Sequence, residues 1–164
     1  MKRYAIAFTG PSNSGKTTLI EKIAKQLVAT QKVAIIKNDP KDKARFDVEG
    51  KDSYKFSQTG AEVMVASPTR TTFFSQREKT LDEMIVMLGD FDILLVEGLK
   101  TLPLPRIAIF RHTIDTTYFE YSQALAIDDT IKIKEYNIPQ DIDILDLNNT
   151  HQIIEWINQN AKEI

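Results

Sequence analysis

The sequence predicts an α/β fold, a mostly parallel sheet flanked by helices, and three observations carry that prediction. Its strand candidates are short, uninterrupted apolar runs, such as Ile93-Leu94-Leu95-Val96 and Ile107-Ala108-Ile109-Phe110. Runs without polar alternation need cover on both faces, which a parallel sheet between helical layers supplies. Between these runs lie stretches whose apolar residues recur at helical spacing, so strand and helix alternate along the chain. The third observation is the segment from Gly10 to Thr17, Gly-Pro-Ser-Asn-Ser-Gly-Lys-Thr, set between the first strand and the first helix.

Taken in order, Tyr4-Ala5-Ile6-Ala7-Phe8 reads as the first buried strand, and Leu19, Ile20, Ile23, Ala24, Leu27 and Val28 as one face of the first helix. Val33 to Ile36 is a second strand, followed by a long polar stretch from Lys37 to Asp52. A short helix is expected from Ser53 to Thr59, capped by Asp52 or Ser53 and ended by Gly60. Val63 to Ala66 and Thr71 to Phe74 read as strands, with Pro68 breaking the pattern between them. Leu81, Met84, Ile85 and Leu88 mark a helix closed by Gly89. Three apolar strands follow, at Ile93–Val96, Ile107–Phe110 and Ala124–Ile127, then a short edge strand at Ile142–Leu145. A helix from Thr150 places Ile153, Ile154, Trp156 and Ile157 inward. No repeat or Gly/Ser linker divides the 164 residues, so a single nucleotide-binding domain over 1–164 is expected.

The segment from Gly10 to Thr17 fits G-x-x-x-x-G-K-[ST] at every fixed position. Backbone N–H groups of Gly10, Pro11, Ser12, Asn13, Ser14, Gly15, Lys16, Thr17 and Thr18, proline excepted, are the expected donors to phosphate oxygens, and the glycines let the chain curl tightly enough. Lys16 would reach the β- and γ-phosphates, and the Thr17 hydroxyl would ligate a phosphate-bound Mg²⁺. In a parallel sheet, ligands gather at the carboxyl ends of the strands. Asp92 precedes the strand Ile93–Val96 and Glu97 follows it, roughly 16 Å apart at ~3.3 Å per residue. Glu97 is therefore the expected acidic partner of metal and water, and Asp92 a structural residue. Lys37, Asp39 and Asp47 leave the second strand at the same sheet edge, with Asp47 favoured over Asp39 as a metal carboxylate. Arg70, after the next strand, is read as a clamp for an anionic ligand. Arg77, Arg106 and Arg111 are weaker candidates, and His112 and His151 lack partners at metal-ligand spacing.

Composition narrows the function classes. A net charge of −2 and a pI near 5.7 give no basic surface for nucleic acid or an anionic membrane. Cysteine is absent, which removes disulfides, thiolate zinc sites and cysteine nucleophiles. The first strand begins after Met1-Lys2-Arg3, so no signal peptide is expected, and no apolar run reaches membrane-spanning length. A soluble, cytoplasmic protein is the expectation.

Several blocks outside the phosphate loop resemble one family. They are Phe46-Asp47-Val48-Glu49-Gly50-Lys51-Asp52-Ser53-Tyr54, Gly60-Ala61, Ser67-Pro68-Thr69-Arg70 and Leu95-Val96-Glu97-Gly98-Leu99-Lys100. Their order and spacing resemble the molybdopterin-guanine dinucleotide biosynthesis adapter (MobB) family over residues 4 to 111. The resemblance implies a P-loop NTPase fold related to GTPases of metal-cofactor assembly. It further implies a homodimer that binds GTP with Mg²⁺, hydrolyses it weakly at most, and works beside the molybdenum cofactor guanylyltransferase. By matching positions, Gly10 to Thr18 would hold the phosphates, with Asp47 and Glu97 near the metal. Whether molybdopterin itself is bound stays open. The chain departs from the family at Lys37-Asn38, where a Lys-His pair is common, and over Asp39 to Arg45, where histidines are frequent. It also lacks an Asn-Lys-x-Asp guanine signature, so guanine preference rests on the resemblance.

Two other readings accompany the adapter. One is a small-molecule kinase, although the arginines are scattered and form no compact lid. The other is a nucleotide-controlled switch that binds a protein without significant catalysis. The stretch Thr71 to Ser75 is the expected dimer contact, because adjacent Phe73 and Phe74 point to opposite faces of a strand; the alternative is that one of them packs under the following helix.

Overall fold

The computed structural model describes residues 2–164, which divide into two compact units: residues up to Asn38 with Asp90–Ile164, and Asp39–Gly89. In the first unit the strands are β1 (Tyr4–Thr9), β2 (Val33–Lys37), β5 (Ile93–Glu97), β6 (Arg106–Phe110), β7 (Ala124–Ile127), β8 (Asp143–Asp146) and β9 (Lys162–Glu163). They form one seven-stranded sheet in the order β2-β5-β1-β6-β7-β8. Every pairing along this path is parallel, and β9 adds antiparallel to the start of β1 through Tyr4 and Ala5. Parallel neighbours bring the carboxyl ends of β1, β2, β5, β6 and β7 to one edge. Phe8 stands opposite Glu97, and Ile36 and Lys37 opposite Val96 and Glu97.

The core follows the period-two alternation of the strands. Ile6, Phe8, Leu95, Ile107 and Ile109 point to one face, where they meet Leu19, Ile20, Ile23 and Leu27 of α1 (Lys16–Leu27). Ile153, Trp156 and Ile157 of α4 (Thr150–Asn160) join the same cluster. Each fully buried aliphatic side chain here contributes about 2 kcal/mol of transfer free energy. On the other face, Ala108, Phe110, Leu125 and Ile127 pack with Ile114, Ile131 and Ile142. A 3₁₀ turn at Thr116–Tyr121 carries Tyr118, whose ring meets Phe110 edge-on at 5.4 Å. Six residues of 3₁₀ helix have no 3.6 period to read, so this turn left no mark in the apolar pattern.

The second unit holds α2 (Asp52–Ser57), a hairpin of β3 (Val63–Ala66) and β4 (Thr71–Phe74), and α3 (Leu81–Leu88). These two strands form their own antiparallel sheet rather than extending the parallel one, with Val63 opposite Phe74 and Met64 opposite Phe73. The connection between them, closed by Ser67 N–H donating to the Arg70 carbonyl, is too short for a parallel crossover. The expected cap of α2 is also corrected. Lys51 is the N-cap and, having no side-chain acceptor, makes no cap bond; the Ser53 hydroxyl, inside the first turn, donates to Asp47 Oδ1 at 2.9 Å. α2 ends at Ser57, ahead of Gly60. α3 opens on a full capping box. Thr80 Oγ1 accepts from Glu83 N–H and the Glu83 carboxylate accepts from Thr80 N–H, which together with Arg77 holds the Glu83 carboxyl down at about 2.

Candidate functional site

The turn from β1 into α1 is built around glycine. A Cβ on Gly10 would stand 2.4 Å from the Ile109 carbonyl oxygen and 3.0 Å from Ser14 Oγ, at a φ of +140° that side chains avoid. The chain can therefore fold back tightly against β6 only with glycine at this place. Gly15, at φ +98°, is the N-cap of α1 and offers no side-chain oxygen to the first turn, which also has no acidic residue. The other long helices of the chain are capped, α3 by Thr80 and α4 by Asn149. The first N–H groups of α1 are thus left to an external acceptor at the positive end of the helix. Ser14 supplies a second sign. It is 4 % exposed, and its Oγ has no hydrogen-bond partner among the described residues. A buried hydroxyl without a partner costs about 1–3 kcal/mol, which an anion in the loop would offset. These features fit a phosphate group.

Lys16 folds over the same loop, donating to the carbonyls of Gly10 at 3.0 Å and Pro11 at 2.7 Å. Burial lowers the pKa of its ammonium; Glu97 opposes that shift and Lys37 adds to it. Lys37 Nζ lies 3.9 Å from Glu97 Oε2. Thr17, Lys37 and Glu97 line one end of a cleft of about 370 Å³ whose remainder is largely apolar, between α1 and β2. The Thr17 hydroxyl and the Glu97 carboxylate so grouped suit a nucleotide-borne Mg²⁺, which needs only one or two protein oxygens beside phosphate and water, and the Lys37 ammonium suits a phosphate oxygen. Among the described residues no group of three or more His, Cys, Asp or Glu could hold a metal alone.

Asp92 lies at the other end of β5. Its Oδ2 accepts from Lys32 N–H at 2.7 Å, so it ties the entrance of β2 to the sheet. At the phosphate end, the chain leaves Glu97 through Gly98, whose N–H donates to the Phe8 carbonyl, and Asn38 N–H donates to the Glu97 carbonyl. Arg106, a weak ligand candidate from its sequence, is instead 1 % exposed. Its guanidinium donates to the carbonyls of Gly98, Leu99 and Leu102 at 2.9, 3.0 and 3.2 Å, fixing the loop that follows Glu97. Burial lowers its pKa, but a guanidinium stays charged, so it serves as a fixed internal peg rather than an anion clamp. Replacing Arg106 by Ala is expected to destabilise the fold by about 3 kcal/mol, since three carbonyls lose a charged donor. Urea unfolding checks this, and an unchanged midpoint would contradict it.

Asp47 and Arg70 belong to the second unit. Asp47 Oδ1 accepts from Ser53 Oγ and Val48 N–H, and its buried Oδ2 has no partner among the described residues. It lines a cavity of about 570 Å³ with Asp42, Arg45, Tyr54, Phe73 and Phe74. Arg70 is exposed in the hairpin turn, its backbone tied to Ser67. Because β3 is no strand of the parallel sheet, the carboxyl-end rule that nominated Arg70 does not apply to it. Asp39 Oδ2 accepts from Lys43 and Ala44 N–H, closing a local turn. Arg77 pairs with Glu62 and Glu83 within the same unit. Asp128, absent from the sequence candidates, ion-pairs with Arg111 in the first unit. Its signal was positional: each residue directly follows one of two paired strands, Phe110 standing opposite Ile127.

Among the described residues no helix is long and apolar enough to cross a membrane. Residues 5–129 match the family model described as molybdopterin guanine dinucleotide synthesis protein B. The chain is 32 % identical over 160 residues to the molybdopterin-guanine dinucleotide biosynthesis adapter protein of Haemophilus influenzae, covering 93 % of this chain and 86 % of that protein. Against the adapter protein of Escherichia coli it is 29 % identical, with 94 % and 93 % covered. The crystal structure of Bacillus subtilis MobB superposes with a TM-score of 0.75 at 22 % identity over 96 % of this chain and 98 % of that one, a likeness of fold. With the family model spanning most of the chain and a relative above 30 % identity over nearly all of it, the chain belongs to the MobB family and has its P-loop NTPase fold.

Proposed function

We propose that this chain is a GTP-binding adapter in molybdenum cofactor maturation, serving the step from molybdopterin to molybdopterin guanine dinucleotide beside the guanylyltransferase. The observation that carries the reading is the uncapped start of α1 behind the Gly10–Thr17 loop, with the buried Ser14 hydroxyl lacking a partner. The relatives' names, adapter proteins of this biosynthesis, supply the pathway.

In this reading the N–H groups from Gly10 to Thr18 hold the phosphates, and Lys16 swings from the Gly10 and Pro11 carbonyls onto the β- and γ-oxygens. A bound Mg²⁺ would supply charge neutralisation to the phosphates. Thr17 would supply an oxygen to it and Glu97 its acidic partner; Asp47, in the second unit, is a further metal carboxylate by the family resemblance alone. Glu97 is held by the parallel register with β1 and by the loop that Arg106 pins, so its position needs no rearrangement. Lys37 Nζ stands 3.9 Å from Glu97 Oε2, a cation beside the acidic residue. Incubation with labelled GTP or ATP tests the reading: slow release of inorganic phosphate is expected, and transfer to a metabolite would replace the adapter with a kinase.

We further propose that two copies pair through Thr71–Ser75. Both strands of the hairpin have an open edge, and Met64, on the face of Phe73, is 65 % exposed. Lys79 Nζ lies 5.8 Å from the Phe73 ring centre, so this ring has some cover inside its own unit. Replacing Phe73 and Phe74 by Asp, one at a time, is expected to give one folded monomer by light scattering. A wild type already monomeric at tens of micromolar would contradict the pairing.

A further inference from the structure

We propose that Arg111 is a ligand of the nucleotide, gripping the α-phosphate end common to the di- and triphosphate, and that Asp128 orients it. This rests on reading Gly10–Thr18 as a nucleotide phosphate site.

The strand order sets the polarity of the ligand. β1, which ends in the phosphate loop, has β5 on one side and β6 on the other. Glu97, Thr17 and Lys37 gather on the β5 side, so the metal and the γ-phosphate belong there. The rest of the nucleotide then runs across the loop toward β6, and Arg111 is the residue that directly follows β6.

Its side chain lies against the loop itself. A Cβ on Gly15 would stand 3.3 Å from Arg111 Nε, 3.4 Å from Nη2 and 3.6 Å from Cζ. Gly15 thus leaves room for a guanidinium laid beside the start of α1, where the helix N–H groups converge. Asp128, at the end of β7 and with its side chain 9 % exposed, approaches Nε at 3.6 Å through Oδ2. Its Oδ1 accepts from Thr130 N–H and Oγ1, and Thr130 Oγ1 accepts from His112 N–H. The ion pair therefore sets a carboxylate beside the Nε edge and leaves the Nη donors, among the described residues, for an incoming anion. A guanidinium is suited to that task because its fork matches two phosphate oxygens at once. As a purely structural pair the contact would be weak, since the Arg111 side chain is 41 % exposed.

The position predicts a signature different from that of Lys16 or Glu97. Titration calorimetry with GTP and with GDP, each in Mg²⁺ and in EDTA, separates them. Arg111→Met, which keeps an unbranched stem against Gly15, is expected to weaken GTP and GDP alike by about tenfold or more, with Mg²⁺ making no difference to the loss. Arg111→Lys should recover part of the affinity, and Asp128→Asn should lose severalfold for both nucleotides. Unchanged affinity in Arg111→Met, or a loss confined to GTP, would overturn the proposal. Should Arg111→Met fail to show a wild-type thermal unfolding curve, Arg111→Lys and Asp128→Asn decide in its place by the same comparison. Wild-type protein that binds neither nucleotide overturns the phosphate-site reading and this inference together. Wild-type binding that is lost in Lys16→Ala but kept in Arg111→Met overturns this inference alone.

Discussion

Replacing Lys16 by Ala is expected to weaken GTP binding by about a hundredfold while leaving the fold in place. Two lost charge-assisted contacts to phosphate are worth roughly 3 kcal/mol, which is that factor in Kd. The structural cost is small because the Lys16 ammonium, among the described residues, hydrogen-bonds to just the carbonyls of Gly10 and Pro11, in a loop whose Pro11, Ser12 and Asn13 are exposed. The four side chains that anchor α1 in the core, Leu19, Ile20, Ile23 and Leu27, are untouched. Calorimetric titration measures the affinity, and thermal unfolding within a few degrees of wild type controls for the fold. Equal GTP affinity in mutant and wild type would remove the loop as the phosphate site.

The second large effect is expected at the two ends of β5. Glu97→Gln should reduce the gain in nucleotide affinity that Mg²⁺ confers by about tenfold or more, the scale typical of disturbing a metal's supporting carboxylates. Asp92→Asn should leave that gain unchanged, because its carboxylate serves Lys32 N–H at the far end of the sheet and Asn retains an acceptor oxygen. The pair is informative because both residues change from carboxylate to amide, Glu97 at the end of β5 opposite Phe8 and Asp92 just before its start, where its carbonyl accepts from Tyr4 N–H. A larger loss of metal dependence in Asp92→Asn, with both proteins folded, would place the metal at the opposite end of the sheet and contradict the assignment of Glu97.

Much of this was legible in the residues because it depends on local pattern. The parallel strands are uninterrupted apolar runs, and those between Ile93 and Ile127 appear where the pattern puts them. The phosphate loop is contiguous, and Glu97 follows from the carboxyl-end rule once the strand is bounded. What stayed hidden depends on pairing. Val63–Ala66 is as apolar as the sheet strands, yet it pairs antiparallel with Thr71–Phe74, and only the short Ser67–Arg70 turn hints at this. β9 was missed because Lys162 and Glu163 are polar and two residues carry no period. Arg106 and Arg111 look alike in the sequence, five residues apart. Arg106 lies in β6 with its guanidinium buried beneath the loop after Glu97, whereas Arg111 emerges past its end beside Gly15. No composition or spacing separates the two; the end of the strand does.

One calorimetric titration of the wild-type chain with GTP, run with and without Mg²⁺, tests the phosphate site most directly. Saturable binding at one site per chain, strengthened by Mg²⁺, is expected. Absence of binding, or binding indifferent to Mg²⁺, would contradict it.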